Sequence, residues 1–78
     1  MNNSETREKI KSFITALKDL KGNVIVVEED VGNERDKYCS DTEKYAVLDA
    51  MNTELVLGVC YINTAIKNLE SALEVEGV

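Results

Sequence analysis

Apolar residues recur at helical spacing in two stretches of the chain. In the first, Ile10, Phe13, Leu17 and Leu20 follow at steps of 3, 4 and 3, with Ile14 beside them, which sets them on one face of a helix. Ser4 can cap that helix, Glu5 and Glu8 lie at its positive N-terminal end, and Lys18 and Lys21 occupy its last turn. Gly22 stands where a left-handed terminal residue is favoured. The pattern predicts a first helix over about 4–21.

The pattern then changes. Val24-Ile25-Val26-Val27 is an unbroken β-branched run, which loses rotamer freedom in a helix and fits a pleated backbone better. It predicts a short strand, followed by a turn from Asp30 to Glu34 and a short return strand from Arg35 to Cys39, so that about 23–39 forms an extended or β segment. A lone two-stranded hairpin is marginal in water and must lean on helices or on another subunit.

Ser40-Asp41-Thr42-Glu43 matches a capping box. After it, Leu48, Met51, Leu55, Val59, Ile62, Ile66, Leu69 and Leu73 follow at steps of 3 and 4 in a near-heptad seam, and Gly77 marks an end. This predicts a second helix over about 41–75, longer than the first. A competing reading makes Glu54 to Ile62 a buried strand beside Val24 to Val27, with Asn63 capping a last helix. Gly58, Val56, Val59 and Ile62 favour that reading, but the seam running on through Ile66, Leu69 and Leu73 favours the helix. The expected fold is mainly α: a helical hairpin with a short β-hairpin or extended segment between a short first and a long second helix, paired as a dimeric bundle. The alternative is a small α+β domain with residues 54–62 as a strand.

Size sharpens the expectation of a dimer. At 78 residues the chain is one domain, and chains this small bury only about 60% of the surface that the unfolded state exposes. The stretch from Leu55 to Ile66 is apolar on every side, more than one short first helix can cover. Leu48, Leu55, Val59, Ile62, Ile66 and Leu69 are therefore the expected self-association or partner interface. That uncharged stretch is 12 residues long, short of the roughly 20 that a bilayer-spanning helix needs, so no membrane is expected.

Fifteen acids against nine bases give a net charge of −6, which argues against direct nucleic-acid binding. The acids concentrate in the middle, where Glu28, Glu29, Asp30, Glu34 and Asp36 form the expected docking patch for a basic partner, one that could itself bind nucleic acid. Asp41 and Glu43 continue the run, but its spacing does not match a calcium-binding EF-hand loop.

Catalytic inventory is thin. Cys39 precedes a helix start, which favours a thiolate, but its acidic neighbours oppose one, and the chain contains no histidine to act as a base or metal ligand. Cys60 reads as a core residue, and a Cys39–Cys60 bridge conflicts with a continuous second helix. Neither phosphate-binding glycine motif occurs. No catalytic residue, cofactor or metal is expected. Two cysteines form no disulfide framework, and the N-terminus lacks the basic-then-apolar pattern of a secretion signal, which suggests a reducing cytoplasm. The sequence thus points to a non-enzymatic acidic interaction module, homodimeric, that binds and modulates or inhibits a partner protein. The alternative is an acidic competitor that mimics nucleic acid on a basic target.

Overall fold

The computed structural model describes residues 3–75. It is a single antiparallel hairpin of two helices, α1 (Asn3–Arg35) and α2 (Glu43–Glu74), in a rod of 57 × 16 × 14 Å. At 33 and 32 residues the two are nearly equal in length, which corrects the expectation of a short first helix and a long second one.

The largest correction concerns residues 23–39. No strand occurs among the described residues, and α1 continues through Gly22 and the β-branched run to Arg35. The reason lies in a periodicity that the run does not interrupt. Arg7, Ile10, Ile14, Leu17, Lys21, Val24, Glu28, Val31 and Arg35 follow at alternating steps of 3 and 4, and all nine are buried or half-buried. The intrinsic preference of Val and Ile against helix amounts to about 0.5 kcal/mol per residue, which packing along a partner helix readily outweighs. Gly22 does not adopt the left-handed conformation of a terminating residue and has open space around it.

α2 follows the expected course. Glu54 to Ile62 is helical, so the alternative with a strand there is excluded, and the predicted end at Gly77 lies outside the described residues. The helix begins two residues later than the capping box suggested. Thr42 is the cap, its hydroxyl accepting the backbone N–H of Tyr45 at 3.2 Å.

Between the helices, residues 36–42 turn through local backbone bonds, Lys37 N–H to Glu34 C=O (3.2 Å) and Tyr38 N–H to Arg35 C=O (3.1 Å) among them. Arg35 clasps the bend. Its guanidinium bonds Asp49 at 2.9 Å and Asp36 at 3.1 Å, and it lies over the ring of Tyr45. The carboxylate of Asp36, then that of Asp49, holds Arg35 above its ordinary pKa, and Glu34 does the same for Lys37.

The core is slight. Only Ile14 and Ile66 are buried among the described residues, and around them the seam alternates apolar layers with polar ties. Lys21 Nζ donates to Asn63 Oδ1 at 3.1 Å, and Asn52 Nδ2 donates to the Glu28 carbonyl at 3.0 Å. These ties fix the register. A polar pair inside a helical seam is satisfied in one alignment and left unpaired when the helices slip.

Candidate interaction surface

With the register fixed, every outward side chain can be assigned to a flank of the rod. In an antiparallel pair, residues beside the seam on one edge of α1 meet the corresponding edge of α2. One edge carries Lys18, Ile25 and Gly32 with Asp49, Val56 and Asn63; Gly32 here lies against the Asn52 side chain. The other carries Phe13, Leu20 and Val27, seven residues apart, with Met51, Gly58 and Ala65. Val47 and Tyr61 extend that second edge outward on α2.

This second flank is apolar and open to solvent. Phe13 is 57% exposed, Leu20 48%, Met51 48% and Tyr61 73%, although none carries a charge. At the bend end it deepens into an open groove of about 540 Å³ lined by Glu43, Lys44, Val47, Leu48 and Met51. Exposed apolar residues also occur off this flank, at Val26, Val56 and Leu57. Contiguous exposed apolar rows mark protein, membrane or ligand contacts in soluble proteins generally.

The row expected as the partner interface has a different position. Leu48, Leu55, Val59, Ile62, Ile66 and Leu69 all turn toward α1 and are buried or half-buried within the hairpin. Within one chain α1 supplies cover for this row, because it is long enough to run along all of it. The flank of Phe13, Leu20 and Val27 was overlooked because Phe13 and Leu20 counted as part of the first helix's single apolar face, while Val27 was placed in a strand. Their shared step of seven was the signal that would have separated them from the seam.

The acidic patch disperses. Glu28 sits at the seam, Glu29 falls on another side of α1, and only Asp30 and Glu34 share one, a helical turn apart. Glu34 pairs with Lys37 at 2.9 Å and Asp36 with Arg35. Among the described residues no group of three metal-ligating side chains converges, and both cysteines are free and exposed, Cys39 in the bend and Cys60 on the outside of α2. Cys60 is thus not the core residue its apolar neighbours suggested.

α2 contains an 18-residue stretch of mean hydropathy 1.2 with at most two charges, long and apolar enough by composition to cross a membrane. α1, which lies along α2, carries thirteen charged residues.

Compared with known protein families, curated proteins and solved structures, the chain matches none.

Proposed function

We propose that this protein is a non-enzymatic interaction module, a helical hairpin that binds and modulates a partner protein through the apolar flank of Phe13, Leu20, Val27, Val47, Met51 and Tyr61. The observation that carries the reading is the imbalance between inside and outside. Among the described residues two are buried, while eleven large apolar residues stand exposed, six of them on that flank. A surface of this kind is costly in water unless something covers it. The flank's exposed side chains are mostly apolar, which suits them to contact with another apolar surface.

Capture from a nuclease-treated lysate of the source cells tests the proposal, with a Leu20→Asp/Met51→Asp protein as the control. The expected result is one stoichiometric polypeptide, a copy of the chain included, retained by the natural sequence and lost by the control while circular dichroism shows both helical. Equal retention by the two proteins overturns it.

A further inference from the structure

Resting on that reading, the geometry points to the occupant of the apolar flank: a second copy of this chain, laid antiparallel so that each Phe13 enters the groove beside Val47 and Met51 of the other. Three observations carry this. The first is area. A folded monomer of 8.7 kDa exposes about 4,700 Å² by the size scaling of globular proteins, whereas this chain exposes 5668 Å². The surplus, roughly 900 Å², is close to the ~800 Å² that each partner contributes to a standard interface. The surplus belongs to a thin rod, and two rods side by side make a four-helix bundle that removes it.

The second observation is self-complementarity. Phe13 projects near the open end of the rod, and the groove lies near the bend on the same flank. Gly32 marks the level of Asn52, so Phe13 is about 28 Å along α1 from the Met51 level. A two-fold axis midway falls between Leu20 and Val27. It brings Leu20 of one copy to Val27 of the other and Phe13 to the level of Glu34, where Val47 and Met51 lie across the hairpin. Both copies are then satisfied by the same contact, which is the requirement of an isologous dimer.

The third is charge. Residues 28–44 hold seven acids and three bases, a net of −4, whereas residues 3–11 and 67–74 together hold four of each. An antiparallel pair sets each acidic bend beside a neutral open end; a parallel pair would set the two bends against each other.

The test uses the full chain with a benzoyl-phenylalanine at position 13, examined by sedimentation equilibrium and by photocrosslinking with peptide mapping. The expected results are a mass of 2 × 8.7 = 17.4 kDa and a crosslink between chains to the peptide containing Val47 and Met51. Because Phe13 and Met51 are far apart within one chain, that crosslink cannot form in a monomer. Met51→Asp should weaken dimerisation on the order of a hundredfold, with loss of the crosslink and retained helicity, since a carboxylate would be buried without a partner. A dimer unaffected by Met51→Asp, or a crosslink from position 13 to the other copy's own position 13 segment, overturns the inference. So does a monomeric mass at every concentration. In that last case, retention of another protein in the capture experiment leaves the interaction reading standing, and retention of nothing removes both.

Discussion

The middle of α1 and the middle of α2 are alike in composition and lie opposite each other. Each has a glycine beside a cluster of β-branched residues, Gly22 with Val24 to Val27 and Gly58 with Val56, Val59 and Ile62. The polar ties Lys21–Asn63 and Asn52–Glu28 bracket both segments, so each covers the other. They differ in what surrounds them. The α2 segment has long apolar seams on either side, whereas the α1 segment leads into acids and a bend. Neither is a good helix former by itself, and each is helical because the other supplies a surface at the right period. The comparison teaches that propensity is a local term of a few tenths of a kcal/mol per residue, outweighed wherever a 3–4 repeat meets a partner.

Breaking the shared layer gives the largest effect. Leu55→Asp puts a carboxylate into the seam opposite the α1 segment and should cost ~3 kcal/mol, enough to unfold a small hairpin. Helical signal should vanish from both helices together, as read by circular dichroism. Loss of only part of the signal would show that one helix persists without the other.

Next come the ties. Asn52→Ala removes a half-buried donor to the Glu28 carbonyl and should cost about 1 kcal/mol, a fall in Tm of roughly 4–8 °C for a domain of this size. Asn52→Leu should recover or exceed that stability while relaxing the register, visible as broadened resonances in an amide correlation spectrum.

Two substitutions then separate helix from strand in the α1 segment. Gly22→Ala meets nothing within 4 Å and should raise stability by about 0.8 kcal/mol. Val26→Ala, at a position 56% exposed, should raise it by about 0.5 kcal/mol in a helix and lower it in a strand. Thermal melts at one fixed protein concentration decide both.

The smallest effect concerns pH. Arg35 and Lys37 have raised pKa values in the folded hairpin, so their contribution is fully present below the ordinary values for arginine and lysine and is lost only as pH climbs through the raised ones. The bend ties should therefore leave Tm flat from mildly acidic to mildly alkaline solution. A fall within that window would place the stability elsewhere than in these two cations.

These outcomes bear on how much of the protein was readable. The seam of α2 and its start within two residues followed from spacing and capping chemistry, because both are local. The α1 segment did not, although Leu17, Lys21, Val24, Glu28 and Val31 keep the helical step. Charged residues at seam positions concealed the repeat, since Lys21, Glu28 and Arg35 count as polar until Asn63, Asn52 and Asp49 are seen across from them. The open flank was hidden for a related reason. Once α1 extends to Arg35 it lies along Leu48 to Leu69, and the apolar residues left open to solvent include Phe13, Leu20 and Val27.

By itself, then, the sequence determined two things: that the chain is small, acidic and mainly helical, and that α2 carries an apolar row needing cover. Periodicity, caps and composition are properties of the chain alone, and they act within a few turns. Tertiary structure decided what covers the row, how far α1 runs and which flank remains open. Those depend on residues forty positions apart meeting in one register, and a bracketed β-branched segment takes its conformation from the helix it finds opposite.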